Sequence, residues 1–183
     1  GLDEDADTFA PFTRAAPRRA IWLGINLITA FIAASVINLF QDTIEKVVAL
    51  AVLMPIVASM GGVAGMQTLT LVVRGIAMGQ VVKNNQAWLV NRELMIGVMN
   101  GVLWAAVVAI AASLWFHDWN IGLLIAAAMV INMVTAALMG AVLPLLMTRV
   151  SIDPALAGGV VLTTVTDVVG FVSFLGLATL FYA

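Results

Sequence analysis

The residues of this chain that could do chemistry are few, and Asp167 is foremost among them. It lies in Leu162-Thr163-Thr164-Val165-Thr166-Asp167-Val168-Val169-Gly170-Phe171, within a stretch from Pro154 to the last residue that has no other charge and no histidine. A carboxylate deep in hydrocarbon is costly unless something pairs with it or water reaches it. The expectation is therefore an intramembrane cation site. At helical spacing Thr163, Thr166, Asp167 and Gly170 share one face, whereas Thr164 points elsewhere and is expected to bond back to its own helix. That face offers oxygen ligands and neither nitrogen nor sulfur, which suits a hard cation such as Mg²⁺, Ca²⁺ or Mn²⁺. The plainer alternative is a neutral Asp167 that hydrogen-bonds a neighbouring helix.

A second polar segment reads Met54-Pro55-Ile56-Val57-Ala58-Ser59-Met60-Gly61-Gly62-Val63-Ala64-Gly65-Met66-Gln67-Thr68. Pro55 removes a backbone donor, and Gly61, Gly62 and Gly65 loosen a helix. Gly61 and Gly65 also make a Gly-x-x-x-Gly spacing, whose commoner use is close helix packing. Gln67 needs a partner at such depth, and with Thr68 and Thr70 it is expected to face a wet path. Asn26, Asn38, Asn100 and Asn132 are further polar residues in apolar runs, each more often a helix-to-helix bond than an ion ligand. Asn100 and Asn132 are the better pore-lining candidates, because both lie away from the ends of their runs. His117-Asp118 reads as a solvated turn, and ten methionines without Cys or His clusters make no copper path. No phosphate loop or hydrolytic constellation is present, so an enzyme is not expected.

The elements that must position these residues are membrane spans. The chain has 183 residues, 63% of them hydrophobic and 10% charged, with a mean hydropathy of +1.10. Soluble domains carry about 25% charged residues, so this chain cannot cover a water-facing surface. The absence of cysteine excludes disulfides and thiolate metal sites. Five long stretches, 20–40, 47–73, 94–116, 119–148 and 154–182, are free of charge but for Asp167. Each meets the roughly 20 residues that a spanning helix needs; several exceed it, so tilted or broken helices are expected. Alternation of the kind barrel strands need is lacking. The link between the second and third spans, around Lys83-Asn84-Asn85-Gln86, is expected to form an interfacial helix.

Basic residues set the orientation. With the N-terminus cytoplasmic, Arg14, Arg18, Arg19, Arg74, Lys83, Arg92 and Arg149 fall inside and only Lys46 outside. Five spans then put the C-terminus on the extracytoplasmic side. Trp22, Trp88, Trp115 and Trp119 lie near interfaces; Trp104 does not. Five spans show no internal repeat, so the symmetry of a pore would have to come from a second subunit. The opening Gly1 and the acidic segment Asp3-Glu4-Asp5-Ala6-Asp7 lack an initiating Met and the basic start of a signal peptide, and the expectation is an excerpt of a longer protein.

These motifs resemble those of the MgtE family of magnesium channels. Pro55 through Gln67, followed by Arg74-Gly75, resembles its second-span signature. Asp153-Pro154-Ala155-Leu156-Ala157-Gly158-Gly159 and Thr163 through Gly170 resemble its last-span signature, and Arg18-Arg19-Ala20-Ile21-Trp22-Leu23 resembles the start of its first span. The resemblance implies an all-α membrane protein of the inner (plasma) membrane, a homodimer with one pore on its two-fold axis. The second and fifth spans would line that pore, making Gly62, Gly65, Gln67 and Thr166 lining candidates. It implies that Asp167 of both subunits holds a hydrated Mg²⁺, with main-chain carbonyls near Thr163 and Gly170 completing the site and Asp153 at the cytoplasmic mouth. Two departures stand out: many relatives have Asn where Val63 stands and Pro where Val160 stands. Residues 1–19 are expected to end a cytoplasmic connecting helix and 20–183 to form the pore domain, without the cytoplasmic N-terminal and CBS domains. The function expected is passive, potential-driven influx of hydrated Mg²⁺, with Mn²⁺, Co²⁺ and Ca²⁺ as further cations, lipid as surroundings and no nucleic-acid partner. A proton-coupled transporter using Asp167 as carrier and a non-transporting scaffold are the competing readings.

Overall fold

The computed structural model describes residues 12–182, so most of the expected linker 1–19 lies outside the described residues. The described residues fold into six helices: α1 (Phe12–Asn38), α2 (Gln41–Lys46), α3 (Ala49–Ala77), α4 (Gln86–Phe116), α5 (Trp119–Arg149) and α6 (Pro154–Tyr182). There is no strand among the described residues. Five of the helices are long and apolar enough to cross a membrane. α3 to α6 contain 29 to 31 residues each. That is about 45 Å of helix, against a hydrocarbon core of about 30 Å.

One local expectation narrows and another gives way. Of tilted or broken helices, breaks are absent among the described residues, where the long helices are continuous. Pro55 falls in the second turn of α3, where few intrahelical donors have yet been engaged, and the helix runs on through Gly61, Gly62 and Gly65. Residues 78–85 form a tight turn in place of an interfacial helix. Gly79 takes φ +67°, which lets the amides of Gln80 and Val81 fold back onto the Gly75 carbonyl at 2.9 and 3.2 Å. Asn85 then closes the turn, donating to the Gln80 carbonyl at 2.8 Å and accepting from the Val82 amide at 2.9 Å. With its polar groups satisfied locally, the turn has no need of helix, and α4 starts eight residues before its charge-free stretch. Short helix α2 makes the opposite turn between α1 and α3.

α5 is the central helix. It is the most buried span and packs on α3, α4 and α6, while α3 also packs on α6 and α1 lies along α6. In a bilayer the lipid tails are as apolar as leucine, so helix association depends on close van der Waals fit rather than on hydrophobic exclusion. Small residues provide that fit: a Cβ on Gly140 would lie 2.7 Å from the Gly65 carbonyl oxygen and 2.9 Å from Thr68 Cβ. Leu50, Leu53, Val57, Ile121, Ile125, Phe174 and Leu175 fill the end of the bundle near α2, and Leu69, Leu143, Met147 and Leu162 fill the other. The α4–α5 corner carries His117 in a left-handed conformation, followed by Asp118, whose side chain caps α5 by accepting from the Asn120 amide at 2.8 Å. The expected solvated turn is thus a pair of helix caps.

Candidate functional site: an acid-bearing groove between two spans

The polar residues of α3 and α6 meet in an open groove of about 750 Å³. Ala58, Ser59, Gly62, Val63, Met66, Gln67 and Thr70 form one wall, and Thr163 and Asp167 the other. The first wall is a single helical stripe, since positions 59, 62, 63, 66, 67 and 70 recur at three- and four-residue steps. Asp167 lies 13 residues from Pro154 and 15 from Tyr182, about 20 Å from either end of α6. No ion pair reaches it; among the described residues the ion pair is Arg92–Glu93. The acid is therefore at mid-span, half-buried, and open to the groove.

The structure brings Asp167, Thr163, Gly62 and Gln67 together, and adds Ser59 and Thr70 to them. Other candidates point elsewhere. The arc from Thr166 to Asp167 spans about 100° of helix, wide enough to straddle the groove edge. Thr166 and Gly170 fall on its buried side: Thr166 is fully buried and donates to the Thr163 carbonyl at 3.0 Å, and Gly170 backs onto Asn132. Gly65 is off the open stripe and packs against Leu162. Asn132 is fully buried among α3, α5 and α6, where its Nδ2 donates to the Val57 carbonyl at 2.8 Å. Asn100 lines a different cavity, of about 270 Å³, between α3, α4 and α5, with Thr68, Gly97 and Trp104. Gln67 and Val63 border both spaces. Asp153 caps α6, accepting from the Ala155 amide at 2.8 Å.

The hydroxyls of α6 turn inward onto their own helix. Thr163 donates to the Gly159 and Val160 carbonyls at 3.0 and 3.1 Å, and Thr164 to Val160 at 2.7 Å, as its off-face position predicts. The two carbonyls expected at the ion site are also engaged: Thr163 O by Thr166, and Gly170 O by Ser173 at 3.1 Å. What the groove presents is thus a carboxylate, a carboxamide and hydroxyl oxygens on apolar walls. Such a lining can attract a cation through its waters without the ligand number needed to strip them.

One acid is not among the sequence candidates. Glu93, in the third turn of α4, is 5% exposed. It accepts from Arg92 at 2.8 Å and from the Thr68 hydroxyl of α3 at 3.3 Å. Charge-free runs place the start of the third span at residue 94, a criterion that excludes such an acid by construction. The signal available is the amphipathic continuation of α4 upstream, with Leu89, Glu93 and Gly97 at four-residue steps.

Five helices long and apolar enough to cross a membrane, one of them carrying a mid-span carboxylate in a groove, define the class of multi-pass membrane proteins. The family profile described as divalent cation transporter, MgtE, matches residues 54–177. The chain belongs to this family. It is 30% identical over 189 residues to the magnesium transporter MgtE of Bacillus subtilis, an alignment covering 98% of this chain and 42% of that protein. It is 29% identical to the protein of the same name from Enterococcus faecalis, covering 99% and 40%. It is 28% identical to that of Thermus thermophilus, covering 88% and 36%. The chain spans about two fifths of the length of the curated relatives it matches.

Proposed function

We propose that this chain is the membrane pore domain of a magnesium transporter, acting as a homodimer in the plasma membrane. Two copies set their α3–α6 grooves face to face. Asp167 from each subunit then holds one hydrated Mg²⁺ on the shared axis. The relatives' names supply the substrate. The observation that carries the mechanism is Asp167 at mid-span in a groove open along one side, with no cationic side chain among the described residues to neutralise it.

Mg²⁺ sheds water reluctantly and prefers octahedral geometry at about 2.0–2.1 Å. Two carboxylates facing each other attract the divalent charge through retained waters, and the separation of the walls screens the hydrated ion. Binding stays weak enough for exit because no complete inner shell forms. Flux is passive and driven by the membrane potential. The orientation has Arg74, Lys83, Arg92 and Arg149 on the cytoplasmic side. In support, Arg149 donates to Gln86 Oε1 at 3.1 Å, which ties the α5 terminus to the α3–α4 turn at one end of the bundle.

The test is Mg²⁺ flux into liposomes carrying the purified chain. Wild-type protein is expected to conduct Mg²⁺ with a potential, and Asp167→Asn to lose selective flux while remaining a dimer. Unchanged selectivity in Asp167→Asn rejects the site. Flux that follows an imposed pH gradient rejects passive conduction in favour of proton coupling, and no cation flux at all favours a scaffold.

A further inference from the structure

Asn132 is a buried carboxamide whose acceptor atom has no partner among the described residues. The residue is completely inaccessible, and Oδ1 finds no hydrogen bond. Its Nδ2 donates to the Val57 carbonyl of α3 at 2.8 Å. By helical register that carbonyl is the acceptor for the Gly61 amide, so Asn132 engages the α3 ladder from outside. Two glycines make the room. A Cβ on Gly61 would collide with the Asn132 amide, and one on Gly170 would lie 2.8 Å from Nδ2 and 3.3 Å from Val57 Cγ1. The amide therefore sits wedged between α3 and α6.

The wedge is directly behind the groove. Gly61 precedes Gly62, which lines the α3 wall, and Gly170 lies one turn beyond Asp167 on the other wall. Leaving a buried acceptor unpaired costs about 1–3 kcal/mol. An aliphatic side chain could fill space without that cost, so packing alone does not account for an amide here. A directional bond does: it fixes one register and one separation of the helices it joins, as a single buried Asn fixes register in coiled coils at the expense of stability.

We propose that Asn132 is a positioning residue for cation selectivity: by bonding α5 to α3 at the Val57 carbonyl and seating its amide against Gly170 of α6, it sets the distance of Gly62 from Asp167 and hence the size of hydrated cation the groove accepts. This rests on the reading of the groove as the divalent-cation path. Asn132 touches no ion; it acts through the two walls. The closeness of both glycines to one amide gives the proposal a steric signature. Adding a methyl group at position 170 displaces the wedge, and removing the amide at 132 frees the space that methyl group needs.

The experiment measures Mg²⁺ and Na⁺ fluxes for the purified chain in liposomes at equal incorporation, as a ratio. Asn132→Ala is expected to remain folded and to lower the Mg²⁺/Na⁺ ratio by at least about tenfold, the equivalent of one lost buried hydrogen bond. Gly170→Ala alone is expected to lower it as well. The double variant Asn132→Ala/Gly170→Ala is expected to recover part of the Gly170→Ala loss, a coupling that independent defects would not show. An unchanged ratio in Asn132→Ala, or strict additivity in the pair, overturns the proposal while Asp167→Asn still loses selectivity. Should Asp167→Asn keep the wild-type ratio, the groove reading itself falls and this proposal with it. If Asn132→Ala does not fold, Asn132→Ser, which keeps a hydroxyl donor, is expected to retain more of the ratio than Gly170→Ala does, and the reverse order overturns the assignment.

Discussion

The Thr68 hydroxyl on α3 donates to Oε2 of Glu93 on α4 at 3.3 Å, across two helices that otherwise barely meet. The other carboxylate oxygen accepts from Arg92, whose side chain is half exposed. This polar tie fastens the back of the helix whose front lines the groove. Removing the carboxylate leaves Thr68 with a buried, unpaired hydroxyl and α4 without its bond to α3. Glu93→Ala is expected to lower stability by about 2 kcal/mol, measured by thermal unfolding in detergent. Glu93→Gln, which keeps one acceptor oxygen for Arg92 and offers an amide N–H that the Thr68 hydroxyl can accept, should lose about half as much. Equal losses for the two variants would show that the carboxylate's charge, rather than its acceptor geometry, holds the helices.

Much of the architecture is legible in the chain because hydrocarbon imposes a simple rule: long apolar runs must be helices, since no water satisfies an open backbone. The bounds of α3, α5 and α6 follow from that rule to within a few residues, and Asp167 is conspicuous as the one charge in its run. Facing is less legible. Periodicity needs contrast between two sides, and a helix that is apolar all round has almost none. Thr166, Gly170 and Asp167 lie on one broad arc, so only packing decides that Asp167 opens to the groove while the other two are buried. Asn132 and Asn100 look alike in sequence; α5 is central and α4 peripheral, and that difference sends one into the core and leaves the other beside a cavity.

The division of α3 into an open and a buried stripe predicts a pattern of chemical access. The chain has no cysteine, so single cysteines can be introduced without background. Thiolates react with aqueous reagents only where water reaches them. Ser59→Cys, Gly62→Cys, Thr70→Cys and Thr163→Cys are expected to label, while Thr68→Cys and Thr166→Cys resist. Mg²⁺ should slow labelling at Thr163→Cys, one turn from Asp167, more than at Ser59→Cys. Uniform labelling of both sets would mean that the groove is not the wet face.

Gly140 tests the close approach of α5 to α3. A methyl group there would meet the Gly65 carbonyl oxygen at 2.7 Å and Thr68 Cβ at 2.9 Å, a main-chain atom and a side-chain atom fixed to the main chain, so neither yields cheaply. Gly140→Ala is expected to cost about 1–3 kcal/mol through overpacking. Gly24→Ala on α1, with nothing within 4 Å of the added carbon, should be neutral or slightly stabilising through higher helix propensity. Thermal unfolding of the two variants side by side checks the contrast, and a Gly140→Ala protein as stable as Gly24→Ala would show that α3 and α5 can slide apart freely.

The cost of the central carboxylate supplies the last prediction. Asp167 is partly withdrawn from water, and in the absence of cation no side chain of opposite charge among the described residues compensates it. Asp167→Asn removes that uncompensated charge while keeping shape and hydrogen-bonding capacity. Without Mg²⁺ the variant is therefore expected to be more stable than wild type by about 1 kcal/mol, as functional sites often are when their charge is removed. Mg²⁺ reverses the order. A ligand that binds only the folded state adds about 2.7 kcal/mol at one hundred times its dissociation constant, and with the cation site proposed at Asp167 only wild type would gain it. A melting temperature that rises with Mg²⁺ in wild type and stays flat in Asp167→Asn is the expected result. Equal Mg²⁺ stabilisation of both proteins would place the dominant cation site away from α6.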